Sequence, residues 1–309
     1  MIGDAVDHVG RFFPHHFDIS SGNIIDRAGL EDVTGCTSDF TYIGERFDAT
    51  FTVLARNLAG ITTLNYEGDF AFLDAGELGL DEVAGPELNV DDSSISWVMG
   101  AGDAVAELSV DRTAPEGPFE PYEVTSEPVD ADGDGVALLD PPATVASTDL
   151  FFGRSVVDNA VGSELGDLAL PWRAEYWDGN TWRIRDDDNC TVIDLEDQVA
   201  LASNTGDNGN GTEPVSVGSG SSSLSVIDSE LTLSGGLGRF VFSAPDSPGW
   251  IDLELLLDET AADYPLPFLR DDLTADDAFK DNPNARASFG LFEGDENRIL
   301  LQEIAPAGN

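Results

Sequence analysis

The chain has 309 residues and carries 60 Asp and Glu against 14 Lys and Arg, a formal net charge of −46. Such a surface repels nucleic acid and anionic membranes, because both are bound through basic groups. Its 41% hydrophobic and 9% aromatic content is too high for charge-driven disorder, and the length allows two domains with sizeable cores.

The acidic excess fits a folded protein from a salty habitat, where the range of charge repulsion falls to about 3 Å at 1 M salt. The opening "MIGDAVDHVGRFFPHHF" lacks a basic region followed by an apolar core, so it does not read as a signal peptide. No run of about 20 apolar residues is present, and no direct membrane span is expected. The chain is then either cytoplasmic or a piece of a longer exported chain with its signal upstream. All three histidines, His8, His15 and His16, lie in this opening. With a carboxylate they offer a metal site; the plainer reading packs Phe12, Phe13 and Phe17 and leaves the imidazoles in water.

Strand patterns follow. In "RFDATFTVLAR", Phe47, Ala49, Phe51, Val53 and Ala55 point one way and Asp48, Thr50, Thr52 and Arg56 the other, the period of a half-buried strand. After a turn at "NLAG", "ITTLNYEGDFAFL" continues in β-formers. "FEPYEVTSEPV" is extended.

It leads into "DADGDG", where Asp130, Asp132 and Asp134 alternate before Gly135. Carboxylate oxygens at this spacing suit calcium, with the Val136 carbonyl as a further ligand and glycine permitting the bend. The closing glutamate of an EF-hand would fall at Pro141, and Asp140 is one residue short, so an EF-hand is excluded. A weak calcium site and an acidic β-turn both remain open. Pro141-Pro142 interrupts the pattern and suggests domains of 1–145 and 146–309. A calcium ion just before this boundary would stiffen the joint.

Downstream, "WRAEYWDGNTWRIR" reads as a hairpin turning at Asp178-Gly179. Trp172, Ala174 and Tyr176 share a core-like face. Trp177, on the other face beside the turn, and Trp182 are candidates for stacking on glycans. The aspartates of "RIRDDDNC" read as a solvated acidic turn or a cation site. Residues 203–223 are rich in Gly, Ser and Asn and read as a long surface loop inside the second domain. Three short strands are expected in "SSLSVIDSELTLSGGLGRFVFSAP" and another in "WIDLELLLDE". A closing hairpin is expected in "ARASFGLFEGDENRILLQEI", with Ala287, Phe289 and Leu291 on one face. The best helical candidate is "DLTADDAFKD". The fold class is therefore all-β: two β-sandwiches, Ig-like or jelly-roll-like, mainly antiparallel, with little helix.

Cys36 and Cys190 form no CxxC motif and have no metal-ligand neighbours; they pair if the chain is exported and are small buried residues if it is cytoplasmic. No GxSxG elbow, Walker loop or dinucleotide fingerprint occurs, and nothing singles out one carboxylate pair among the acids. The expectation is a non-enzymatic protein.

Four blocks carry a resemblance. "VGRFFPHHFDI", "CTSDFTYIGERFDATFTVLARNLAGITTLNYEGDFA", "DNAVGSELGDLALPWRAEYWDGNTWRIRDDDNCT" and "NPNARASFGLFEGDENRIL" resemble, in that order, the C-terminal region of the MshQ family, proteins associated with the mannose-sensitive haemagglutinin (MSHA) type IV pilus. The resemblance spans nearly the whole chain. It implies an exported protein on the surface of a Gram-negative bacterium, a signal peptide upstream, and a structural or adhesive role beside pilus or other cell-surface proteins. The family tends to end in a basic-aromatic strand, whereas this chain ends "LLQEIAPAGN". There are no family catalytic residues to carry over. Export makes a Cys36–Cys190 disulfide the expectation, tying the two domains together. The alternative function is a calcium-assisted carbohydrate-binding module of a secreted polysaccharide-active protein, with glycans as partners.

Overall fold

The computed structural model describes residues 13–290 apart from 31–32, 34, 131–134, 226–228, 259–264 and 276–277. The first half contributes β1 (His16–Ile25), β2 (Phe40–Tyr42), β3 (Phe47–Arg56), β4 (Leu80–Glu82), β5 (Leu88–Val98), β6 (Ala101–Val110), β7 (Phe119–Ser126) and β8 (Ala143–Phe151). One sheet runs β1-β3-β6-β5, antiparallel throughout. The other runs β2-β8-β7-β4, with a parallel pair only between β2 and β8.

The second half contributes β9 (Gly153–Val157), β10 (Ala160–Gly162), β11 (Leu168–Trp177), β12 (Trp182–Ile184), β13 (Val192–Asp194), β14 (Val199–Ser203), β15 (Asn208–Asn210), β16 (Val215–Val217), β17 (Gly220–Ser222), β18 (Glu230–Thr232), β19 (Leu237–Phe242), β20 (Gly249–Leu255) and β21 (Asn284–Phe289). A five-stranded sheet, β10-β21-β20-β14-β15, faces a sheet of β12, β11, β19 and β9. Two small ladders, β13-β18 and β16-β17, flank them.

Both halves are β-sandwiches, mainly antiparallel. Pleat alternation fills each core. On β3, Phe47, Ala49, Phe51, Val53 and Ala55 are buried, and they meet Tyr122, Val124 and Leu150 of the opposite sheet. On β20, Ile251, Leu253 and Leu255 meet Leu170, Trp172, Phe240 and Phe242. Removing this apolar surface from water, at about 25 cal/mol per Å², is the main favourable term in folding.

Several local expectations change. "ITTLNYEGDFAFL" is not a strand: Thr62 makes an isolated bridge and Gly68–Phe70 is a 3-10 turn. Its branched residues favour strand, but Gly68 takes φ +54 and the Tyr66 hydroxyl accepts the N–H groups of Phe72 and Leu73, which holds the segment in a loop. "DLTADDAFKD" is not helical among its described residues; Asp271 and Asp281 pair as a bridge instead. The helical turn lies at Arg27–Leu30. Residues 203–223 are not a loose loop. They contain β15, β16 and β17, and Val215 and Val217 are fully buried. Composition concealed two apolar anchors among many small residues. Of the three strands expected around residue 230, β18 and β19 are present, and 226–228 lie outside the described residues. β21 forms as expected, whereas Leu291 and the second arm of the closing hairpin lie outside them. Finally, the chain does not change domain at Pro141-Pro142. β8 starts just after the prolines and is an integral strand of the first sandwich, so the changeover falls at Phe152, the single residue between β8 and β9.

Candidate functional site: the joint between the sandwiches

Alternation in a strand sends neighbouring side chains to opposite faces, and at the changeover each face belongs to a different domain. Leu150 and Phe152 enter the first core, and Phe151 between them enters the second. The same happens at the end of β11, where Tyr176 packs on the second core and Trp177 on the first. Phe40 and Tyr42 of the first half lie in the second core, and Phe279 of the second half lies in the first. Each domain thus lends side chains to its neighbour, and no flexible linker separates them. Gly153 is required here: a Cβ would stand 2.4 Å from the Tyr42 ring and 2.9 Å from Leu269.

Two arginines hold the joint. Arg27, 1% exposed, donates from Nε to Glu45 Oε1 at 2.7 Å, from Nη1 to Asp188 Oδ1 at 2.9 Å and from Nη2 to Thr191 Oγ1 at 2.9 Å. Asp188 is fully buried. Its Oδ2 accepts from the Tyr42 hydroxyl at 2.9 Å and from Thr191 Oγ1 at 2.6 Å, and its Oδ1 from the N–H groups of Cys190 and Thr191. Glu45 Oε2 accepts the Tyr42 N–H at 2.9 Å.

Two carboxyls therefore share one guanidinium in a dry site. Burial pushes the Asp188 carboxyl up, but Arg27 and the converging donors outweigh it and hold it below the usual carboxylate range. Burial dominates at Glu45 and raises it to about 7 against the pull of Arg27. A protonated Glu45 beside ionised Asp188 and Arg27 makes the cluster neutral.

The Cys36–Cys190 disulfide closes beside this cluster, with Cα atoms 4.6 Å apart. Around it, Asn189 Oδ1 accepts from the Thr37 N–H, Asn189 Nδ2 donates to Thr37 Oγ1, and the Ser38 hydroxyl donates to the Asp187 carbonyl. Arg185 covers the Phe151 and Phe40 rings, 3.7 and 4.2 Å from their centroids.

Arg112 is half-buried. It donates to three carbonyls, Phe279, Gly153 and Arg270, at 2.8, 2.8 and 2.6 Å, and lies 4.3 Å from the Phe152 ring centroid. Burial pulls it down to about 10, so it stays charged at neutral pH. Arg154 continues this side, bonded to Glu175 and Asp271 and stacked 4.1 Å over Trp182.

The sequence-derived candidates divide accordingly. Trp177 and Trp182 pair across the hairpin, and Asp178 Oδ1 caps its turn by accepting from Asn180 and Thr181. Their rings meet edge to face at 5.6 Å and lean on the first core, so Trp177 is half-buried in the joint instead of standing out as a platform. Of "RIRDDDNC", Asp188 is not a solvated turn residue but the most buried acid of the joint. Nothing local in the sequence marks it, and its partner Arg27 lies 161 residues away.

Of the calcium candidates, Asp132 and Asp134 lie outside the described residues. The Asp130 N–H donates to the Val136 carbonyl and Gly135 N–H to the Asp130 carbonyl, which closes the loop. Val136 is buried in the first core and Asp140 is exposed. The loop stands at the start of β8, whose nine residues separate it from the joint by about 30 Å at 3.3 Å per residue.

No curated protein matches the chain. Among solved structures, the chain is similar to FdeC, a broadly conserved Escherichia coli adhesin eliciting protection against urinary tract infections. The identity is 15%, over 81% of this chain and 64% of that one, with a TM-score of 0.28; the chain spans a little under two thirds of that structure's length. It is similar also to the D0-D1 domain of intimin (13% identity, 84% and 99% covered, TM-score 0.21) and to the D00-D0 domain of intimin (12%, 83% and 98%, 0.24). Family models match nearly end to end: the third domain of DUF6701 over residues 1–153 and its fourth domain over 151–304. The chain belongs to the DUF6701 family and carries its third and fourth domains.

Proposed function

We propose that the chain is a non-enzymatic, rigid two-domain segment of a bacterial cell-surface protein. In this reading it is exported and acts beside an MSHA-type pilus in a structural or adhesive role. The observation that carries the reading is the crosslinked joint. A disulfide needs an oxidising compartment, and here it bridges two domains that already exchange core side chains. Such a joint transmits force along the chain without hinging, which a stalk or adhesin segment requires and a catalytic cleft does not.

The test is display. An epitope-tagged parent protein in its own cell should be cut by external protease and should co-purify with sheared pili. Recovery only from the cytoplasm would sink the export reading; surface display without pilus association would remove the pilus part alone.

A further inference from the structure

The outer face of the five-stranded sheet holds a trough of about 800 Å³. Alternation builds it. Leu201, Leu253 and Ala285 point into the core, so Ala200, Ala202, Asp252, Glu254, Asn284 and Arg286 point out. In register, Ala202 stands between Asn208 and Asp252, and Asp252 stands beside Arg286. One step along, Ala200 stands between Asn210 and Glu254, and Glu254 beside Asn284. The two alanines form a low floor between walls of amides and charged groups. Arg286 grips Asp252 with two bonds, at 2.6 and 2.8 Å, and lies 4.1 Å from the Trp250 ring centroid, so this wall is fixed. Asn159 closes the end by accepting the Arg286 N–H at 2.7 Å.

We propose that this trough binds a short neutral oligosaccharide. Vicinal hydroxyls each need a donor and an acceptor, and amides beside carboxylates supply both across one surface. Among the described residues Asp252 is paired with Arg286, and Glu254 accepts only from Asn282 Nδ2 at 3.4 Å, so the trough offers an acceptor carboxylate and no free cation. The −46 net charge repels anionic sugars. The volume lies within the range of about 300–1,000 Å³ for small-molecule sites. Arg286 covers one face of Trp250, so recognition runs through hydrogen bonds and not ring stacking, and a Kd on the order of 1 mM follows from the few net bonds available. The inference goes beyond the surface-protein reading, and binding by the purified chain is measured apart from where the cell displays it.

The experiment is a heteronuclear NMR titration of the whole chain with neutral β-glucan and α-mannan tetramers, a polyuronate tetramer and a polar tetrapeptide. A neutral tetramer should shift the resonances of Ala200, Ala202, Asn208 and Asn284, and the polyuronate should not. Ala202→Phe fills the floor from the solvent side and should weaken binding at least tenfold at an unchanged melting temperature. Should that variant misfold, Glu254→Gln with Asn284→Ala should weaken binding several-fold. Silence from both neutral tetramers, shifts confined elsewhere, binding unaltered in the variants, or preferential uptake of the peptide would each overturn the assignment.

Discussion

Arg27 and Arg112 serve the same joint, yet they are satisfied by different means. Arg27 is sealed away and bonds to two carboxyls; Arg112 is half-buried and bonds to carbonyls against aromatic rings, with Asp271 near enough to favour its charge but not bonded to it. The first site stores its specificity in charge. Its members are costly to bury, and each depends on the others remaining. The second presents a cation to backbone dipoles and ring faces, which leave no charge behind when the cation is removed. The two sites should therefore fail differently. The largest effect is expected at Arg27→Met, which leaves the ionised Asp188 buried without a counter-ion and Glu45 without its donor, and should cost about 3–5 kcal/mol. Chemical denaturation of the whole chain measures it, and a loss under 1 kcal/mol would show that the carboxyls find other partners.

Beside Arg27 the disulfide acts on the unfolded chain. Replacing both Cys36 and Cys190 by serine should lower stability by about 2–4 kcal/mol. The Arg112 side should keep its contacts in that variant, whereas the 37–38 and 189 hydrogen bonds should loosen. Hydrogen exchange distinguishes them. Equal loss of protection on both sides would mean that the joint opens as one unit, and the contrast between its sides would be lost.

The strand pattern was legible because alternation is local. Phe47 to Ala55 in β3 and Trp172 to Tyr176 in β11 announce their buried faces without reference to anything distant. The joint was legible only in part. The two cysteines were visible as a pair because cysteine is scarce and disulfide chemistry admits few partners. Asp188 was hidden among many acids, and no local rule says which of three consecutive aspartates is buried. Alternation puts Trp177 on the face opposite Trp172, which is where it lies. There it packs on the other domain, and a sequence pattern records sides of a strand, not what covers them.

A third expected outcome concerns pH and sharpens the difference in charge. Glu45 in the fold sits at about 7, above its ordinary value of 4.5. A carboxyl that holds its proton more tightly when folded favours the fold while protonated. Its contribution is complete below about pH 4.5 and is lost as pH rises through 7, roughly 2–3 kcal/mol between pH 5 and 8. Asp188 is shifted the other way, and its contribution is lost only in stronger acid, below that window. Stability should thus fall from pH 5 to 8 in the wild type and fall less in Glu45→Gln. Because general charge repulsion is common to both proteins, the difference between their slopes isolates Glu45, and identical slopes would place Glu45 ionised throughout.

The smallest effect is expected at Arg112→Met. The thioether keeps part of the stem's packing against Phe152 and Phe279. Three carbonyls lose a charged donor, but each oxygen has a second lone pair, and a half-buried site admits water to it. Removing the cation also removes its own burial penalty, the influence that pulls Arg112 down to about 10. The net cost should be about 1–2 kcal/mol, less than half that of Arg27→Met. No change in the pH 5–8 slope is expected, because Arg112 faces no carboxyl through these bonds. Arg112→Lys should recover little, since one ammonium on a flexible stem cannot reach three carbonyls held by a planar fork. A loss as large as that of Arg27→Met would mean that carbonyl dipoles bind this cation as firmly as carboxyls bind the other, and the two halves of the joint would be alike in energy despite their chemistry.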